Sequence, residues 1–355
     1  MRSEILDNLL GDLDGALLEP FRDKVVVVTG ATGLIGSLVC KALLLADGNI
    51  SLGCVVVAVV RNRKKAEDIL GDYASLGDLR IVVCNLAEGE APELAELDGA
   101  DFILHAASVT KSRVMVERPV DVIRTSLNGT KAMLGLTRDA DARLVYLSSM
   151  EVYGTLVEGQ VADESSLGWI DLTNPRTCYP ESKRMCECLC AAYASQYGTR
   201  ACSARLAQTF GAGVLPGENR AFAQFARSAM AGEDIVLRTR GLSEGNYVNS
   251  IDCVAGLLVL LAKGEAGQAY NVANEESHGT IREVAQLAAD VLGDGRSNVV
   301  IDVDRENSAG YAPDVYLRLS SKKLRRLGWE PKISLTSSFC QMGTYMTEQE
   351  DGCID

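Results

Sequence analysis

The chain has 355 residues, 47% of them hydrophobic and 23% charged, which suits one large folded unit or a main domain with a smaller lobe and argues against disorder. A formal net charge of −13 argues against nucleic acid and anionic lipid as partners, though a local basic pocket can still hold a phosphorylated small molecule. No stretch approaches the roughly 18–20 apolar residues a membrane span needs, and the 11 scattered cysteines lie mostly in apolar runs such as Val39-Cys40 and Val83-Cys84, so free thiols and a cytoplasmic location are expected.

Residues 5–18 place Leu and Ile at near-helical spacing among Asp and Glu, which predicts a short acidic helix with a solvated face ahead of the main fold. Lys24 to Thr29 reads as a first strand, followed by a glycine-bearing turn and a helix from Leu34 to about Ala46. Further apolar strands are expected at Cys54–Val60, Arg80–Cys84, Asp101–Leu104, Arg143–Leu147 and Arg200–Leu206, with helices at Pro119–Arg138 and Tyr179–Tyr197. Short, continuously apolar strands alternating with helices predict an α/β fold built on a doubly wound parallel sheet. Beyond residue 207 the alternation loosens. Helical patterns at 219–231, 251–262 and 280–292, with short strands near 235–238, 269–272 and 299–303, predict a smaller, mostly C-terminal α/β lobe.

The first strand-to-helix turn reads Gly30-Ala31-Thr32-Gly33-Leu34-Ile35-Gly36. Its first glycine permits the tight turn, its second lets backbone approach a pyrophosphate, and its third lets helix pack on strand. The helix N-terminus then presents unpaired N–H groups to the phosphates. A second constellation, Tyr179-Pro-Glu-Ser-Lys183, heads a helix, and its i,i+4 spacing puts Tyr179 and Lys183 on one face. A phenol titrates near 10, so a neighbouring ammonium is needed to make it a base at neutral pH. Ser149 closes the fifth strand and can hydrogen-bond the reacting hydroxyl or carbonyl. The catalytic candidates are Ser149, Glu151, Tyr179 and Lys183.

The Gly-x-x-Gly-x-x-Gly spacing with Tyr-x-x-x-Lys resembles the extended branch of the short-chain dehydrogenase/reductase family. The resemblance implies a Rossmann domain at 23–206, an N-terminal helical extension at 1–22, a mostly substrate-binding lobe at 207–345 with segments returning to the first domain, and a tail at 346–355. On the cofactor side it implies Gly30, Thr32, Gly33, Leu34, Ile35 and Gly36, then Asn85 and Leu86, then His105-Ala106-Ala107-Ser108, together with Tyr179, Lys183 and Arg205. Ala106-Ala107 has close packing as its plainer explanation. The second strand ends Val59-Val60-Arg61, where NAD-specific members carry Asp. A cation there suits a 2′-phosphate, so NADP is favoured over NAD.

Ala204-Arg205-Leu206-Ala207-Gln208-Thr209-Phe210-Gly211, Tyr270-Asn271-Val272-Ala273 and Leu327-Gly328-Trp329-Glu330-Pro331 resemble landmarks of the nucleotide-sugar epimerase/dehydratase group. Asn128–Leu136, Asn174–Lys183 and Asn219–Phe225 are most similar to its UDP-glucuronate decarboxylases. Glu151, two residues after Ser149, fits a base or proton shuttle at C5 once C4 has been oxidised; capping of local backbone is the alternative. Three departures stand out. Met150 cannot protonate a leaving C6 hydroxyl, Gln208 replaces a usual Asn, and the arginine expected before Asn249-Ser250-Ile251-Asp252 is missing. Substrate contacts are expected from Thr110, Gln208, Arg220 and Arg238, with Arg220, Arg238 or Arg240 on the diphosphate.

No metal is expected. Cys178, Cys186, Cys188 and Cys190 have no histidine near them, and they read as packing residues. His278 reads as an exposed loop residue. The implied function is modification of a nucleotide sugar through a transient 4-keto intermediate, with decarboxylation ahead of 4-epimerisation and 4,6-dehydration, by a homodimer. An NADP(H)-dependent reductase of a keto substrate is the second reading. A non-catalytic dinucleotide-binding scaffold is the third, and the complete Ser-Tyr-Lys set speaks against it.

Overall fold

A computed structural model describes residues 2–97, 99–157, 159–303 and 315–351. Along the chain run α1 (Glu4–Gly11), β1 (Val25–Thr29), α2 (Leu34–Ile50), β2 (Val55–Val60), α3 (Arg63–Leu70), β3 (Asp78–Val83), β4 (Phe102–His105), α4 (Ser112–Glu117), α5 (Pro119–Asp139), β5 (Arg143–Ser149), β6 (Val161–Ala162), α6 (Cys178–Tyr197), β7 (Arg200–Leu206) and β8 (Gln208–Phe210). Then follow α7 (Ala221–Met230), β9 (Ile235–Leu237), β10 (Glu244–Asn249), α8 (Ser250–Lys263), β11 (Ala269–Val272), β12 (Asn274–Thr280), α9 (Ile281–Leu292), β13 (Val299–Ile301), β14 (Arg318–Leu319) and α10 (Leu335–Asp351). Shorter helical turns link them.

Seven strands pair in parallel in the order β3-β2-β1-β4-β5-β7-β11. Val26, Val27 and Val28 are all fully buried, as are Val56 and Val57, because helices cover both faces of the sheet. That is why these strands read as unbroken apolar runs rather than alternating ones. The strand order reverses between β1 and β4, and such a switch point leaves a crevice at the carboxyl ends of the strands. The expected doubly wound α/β architecture is the one observed.

Four local differences have physical causes. The expected 5–18 helix breaks at Asp12, because Asp14 caps a separate turn, Gly15–Leu18, by accepting from the Ala16 N–H at 2.9 Å. Nor is its acidic face merely solvated: Tyr73 donates to Asp7 at 2.6 Å, Arg2 pairs with the same carboxylate at 2.6 Å, and Leu6 and Leu10 enter the core. Strand 269–272, assigned by pattern to the second lobe, is β11 and edges the main sheet beside β7. Residues 346–351, expected as a tail, continue α10, where Glu348 accepts from Ser3 Oγ at 2.5 Å and from the Ile5 N–H at 3.2 Å.

The second lobe holds a three-stranded sheet, β12-β10-β8, and a parallel pair, β9-β13. β10 runs antiparallel to β12 and parallel to β8. Asn249 opens α8 by accepting from the Ile251 N–H at 2.8 Å, and Thr280 with Glu283 forms a capping box on α9. The ten described cysteines are free thiols. No described helix is long and apolar enough to cross a membrane.

Candidate active site

β1 delivers the chain to Gly30, which sits at φ +65° where L side chains are disfavoured. A Cβ on Gly30 would come within 2.8 Å of the Ala107 nitrogen and 2.9 Å of the Ala106 carbonyl carbon, at the end of β4. A Cβ on Gly36 would run into the Gly30 carbonyl oxygen. Ala106 and Ala107 therefore do more than pack a core: they form the wall against which the glycine turn folds. Gly33, the N-cap of α2, makes no side-chain cap hydrogen bond, which leaves the first backbone N–H groups of that positive helix end without a capping side chain from it. Bare glycine backbone at a switch point, ahead of an uncapped helix, fits a dinucleotide pyrophosphate.

Thr29 fixes the neighbouring strand end. Its hydroxyl accepts from the Ala107 N–H at 3.1 Å and lies 2.8 Å from His105 Nδ1. His105 is buried, and desolvation, helped by the charge of Lys183, pulls its pKa down to about 3. The ring is thus neutral at physiological pH. Its Nε2 and the Ser108 hydroxyl are buried without a hydrogen-bond partner among the described residues. Asn85 is exposed and gives its backbone N–H to Glu90 at 2.8 Å, whereas Leu86 is buried. Arg61 is exposed just past β2 and has no ion-pair partner among the described residues, while its neighbour Arg63 donates to the Ile81 carbonyl at 2.8 Å.

Tyr179 and Lys183 lie in the first turns of α6, both buried, with the ammonium 5.6 Å from the Tyr179 ring centre and 4.8 Å from that of Tyr146. Lys183 donates to the Leu147 carbonyl of β5 at 2.6 Å, which ties α6 to the strand that ends in Ser149. Burial raises Tyr179 to about 12, with Glu151 adding to the rise, while a hydrogen bond from Ser149 and the charges of Arg176 and Arg220 oppose it. Burial lowers Lys183 to about 8. Ser149 Oγ also accepts from the Glu151 N–H at 3.2 Å, capping the 3-10 turn Met150–Tyr153 that carries Glu151 into the site.

The Glu151 carboxylate forms an ion pair with Arg176, at 3.0 and 3.2 Å, with both side chains about one-third exposed. Pattern reading missed Arg176. Its signal was its place three residues before Tyr179, in the turn Pro175–Thr177 that Asn174 caps. Also missed was Arg184, which donates to the Val152 and Gly168 carbonyls at 2.8 Å each and so binds the loop after β5 to α6.

Arg205 requires a correction. It was expected on the cofactor side, but its guanidinium donates to Glu187 at 2.7 Å, to Tyr153 Oη at 3.1 Å and to the Glu164 carbonyl at 2.8 Å, and it is buried. Glu187 lies one turn beyond Lys183 and also accepts from Ser148 Oγ at 2.5 Å. Arg205 is therefore a structural cation holding β7 to α6. His278 is corrected too: it stands on β12, with its side chain 14% exposed, 3.4 Å from Glu244. Among the substrate candidates, Arg220 acts on the Tyr179 charge, and it is itself held by Glu218 at 2.7 Å. Gln208 is half-buried on β8, Thr110 is exposed, and Arg238 pairs with Asp302 beside β9 and β13. The cleft lined by Glu88, Gly89, Asn128, Lys131 and Tyr193 contains none of the catalytic candidates. Among the described residues no cluster could hold a metal ion.

Fold and site together define a doubly wound, Rossmann-like α/β protein that carries a Ser-Tyr-Lys set. Residues 26–273 match the NAD dependent epimerase/dehydratase family, and the chain belongs to that family. It is 28% identical over 331 residues to UDP-glucuronic acid decarboxylase 1 of Danio rerio, covering 92% of this chain and 73% of the relative. It is 27% identical over 311 residues to UDP-glucuronic acid decarboxylase 6 of Arabidopsis thaliana, covering 87% and 85%. Among solved structures, UDP-glucose 4-epimerase of Thermotoga maritima, determined with UDP-glucose, aligns with a TM-score of 0.76 at 20% identity over 92% of this chain and 99% of that one. The dTDP-glucose 4,6-dehydratase of Bacillus anthracis, determined with NAD, aligns with a TM-score of 0.75 at 20% identity over 92% and 97%. Those two likenesses establish the fold.

The buried neutral His105 makes a sign-definite prediction. Its folded pKa, about 3, lies below the ordinary value of 6.5, so its contribution to stability is intact above pH 6.5 and falls away as the pH drops toward 3. The unfolded chain takes up a proton that the folded chain refuses, at a cost of about 1.4 kcal/mol per pH unit. Urea unfolding at pH 7 and pH 5 should therefore show a larger loss of stability in the wild type than in His105→Gln. Equal losses would mean that His105 is not held neutral.

Proposed function

We propose that the protein converts a nucleotide sugar through a transient 4-keto intermediate and that its reaction is a decarboxylation like that of its UDP-glucuronic acid decarboxylase relatives. The observation that carries this reading is the place of Glu151, on the turn that Ser149 caps and with its charge acting on the Tyr179 phenol. Bound nicotinamide dinucleotide would supply the hydride acceptor, held on the Gly30–Gly36 turn and the end of α2. Tyr179 takes the C4 hydroxyl proton. Burial alone opposes its ionisation, so the Lys183 ammonium on the same face and the Ser149 hydroxyl must offset that cost. A keto group at C4 then acidifies C5 or makes a C5 carboxylate labile, and Glu151 stands as the base or proton shuttle there. A plain 4-epimerisation needs no such acid. A 4,6-dehydration needs a proton donor at position 150, where this chain has the partly buried, apolar Met150.

Arg220 is the best placed of the candidate arginines to hold a diphosphate, since its charge acts on Tyr179, although Glu218 holds it as Asp302 holds Arg238. The exposed, unpaired Arg61 supports NADP over the NAD found with solved relatives, and it favours an NADP(H)-dependent reductase as the second reading. Exposed Val116, Val120, Ile123, Met185 and Tyr197 on α4, α5 and α6 support a homodimer. We place the enzyme in the cytoplasm on its free thiols.

Glu151→Gln keeps the size of the side chain and loses its proton acceptor. In a single turnover, oxidation at C4 should proceed and the next step stall, so that reduced-nicotinamide absorbance accumulates while product formation falls about 10²–10⁴-fold. Normal turnover would reduce Glu151 to a backbone-capping residue. Arg61→Asp should weaken NADP binding roughly 10–100-fold, the size of one lost charge-assisted hydrogen bond, with little change for NAD. An unchanged NADP-to-NAD ratio would show that Arg61 does not read the 2′-phosphate.

A further inference from the structure

Four arginines come near the catalytic pair, and three are committed elsewhere. Arg184 is spent on the Val152 and Gly168 carbonyls and on Glu181 at 3.1 Å. Arg205 is sealed against Glu187. Arg220 belongs to the second lobe, where Glu218 holds it and its guanidinium lies 4.8 Å over the Phe222 ring. Arg176 differs from all three. Among the described residues its guanidinium meets one partner, the carboxylate of Glu151, and about one-third of each side chain is open to solvent. An ion pair that exposed contributes little to stability, so another carboxylate can displace it readily. The contact with Glu151 runs through Nη2 of the guanidinium, whereas a carboxylate that replaced it could take two parallel N–H donors from the arginine fork.

Taking the nucleotide-sugar reading as its basis, we propose that Arg176 is the specificity-determining residue for an acidic sugar. The substrate carboxylate takes the Arg176 guanidinium in place of Glu151, and that exchange frees Glu151 to act as a base. No bond is made or broken in the exchange. One carboxylate replaces another on the same cation, and Glu151 moves from a paired to an unpaired state beside the sugar. A neutral sugar cannot make the exchange, so Glu151 stays engaged and the C5 step is not enabled. The ion pair thus couples recognition of the acid to availability of the base.

The competition gives the two members of the pair opposite signatures, which a merely structural salt bridge would not. Calorimetry with UDP-glucuronate and UDP-glucose is performed on protein loaded with dinucleotide, in a Tyr179→Phe background that prevents turnover. Arg176→Gln should weaken UDP-glucuronate roughly 10–100-fold and leave UDP-glucose within about threefold, with Arg176→Lys falling between. Glu151→Gln should tighten UDP-glucuronate, because the competing carboxylate is gone, and leave UDP-glucose unchanged. Equal weakening of both sugars by Arg176→Gln, or weaker UDP-glucuronate binding in Glu151→Gln, would overturn the exchange while leaving the nucleotide-sugar reading intact. Failure of both sugars to bind the parent protein would overturn the nucleotide-sugar reading and the exchange together.

Discussion

Gly30 and Gly36 touch through bare backbone, and the same turn presses against Ala106 and Ala107 at the end of β4. No side chain larger than hydrogen fits at either glycine without moving one of these walls. This contact sets the distance between β1, α2 and β4 at the switch point, so it fixes where a pyrophosphate can lie and, from there, where a nicotinamide can reach. The remaining parts are referenced to it. Thr29, the residue before Gly30, holds both the Ala107 N–H and His105. β5 is registered directly against β4, and Lys183 is bonded to β5 through the Leu147 carbonyl. A single backbone contact thereby propagates through three parallel strands to the catalytic helix.

At that helix the protein arranges two groups in conflict with their own burial. Desolvation pushes Tyr179 up to about 12 and draws Lys183 down to about 8, so each is biased toward its neutral form. Their proximity works the other way, since a tyrosinate and an ammonium stabilise each other most in a dry environment. A base made this way depends on geometry, which explains how much of the surrounding bonding serves to hold α6 in place. Lys183 bonds to Leu147, Arg184 to Val152 and Gly168, and Glu187 to Ser148 and Arg205.

What could be read from sequence followed local, periodic physics. β1, β2 and β7 are unbroken apolar runs with one structural solution, and the Gly30–Gly36 and Tyr179–Lys183 spacings translate directly into a turn and a helix face. β10 and β12 were not legible. Glu244-Gly-Asn-Tyr-Val-Asn249 and Asn274-Glu-Glu-Ser-His-Gly-Thr280 lack apolar alternation, and they are strands because they pair with each other and with β8. Arg205 was misassigned for a related reason. Its sequence position at the end of β7 suits a cofactor contact, but only tertiary structure reveals that Glu187 neutralises it. Arg176 lay within the Asn174–Lys183 stretch, but its role was not legible because an ion pair across 25 residues leaves no periodic trace.

Ser149, Tyr179 and Lys183 are brought together where β5 meets α6, while Gln208 stands half-buried on β8 and Met150 packs partly buried against the core. In the proposed reaction the hydride from C4 of a nucleotide sugar would pass to bound dinucleotide while Tyr179 takes the hydroxyl proton, and that hydride would return to the keto product after chemistry at C5. Mass spectrometry of UDP-glucuronate incubated with the protein and substoichiometric dinucleotide tests it most directly. The account predicts a product lighter by one CO2, formed over many turnovers per cofactor, with no net reduced nicotinamide. Consumption of one dinucleotide per product, or an unchanged substrate mass, would contradict it.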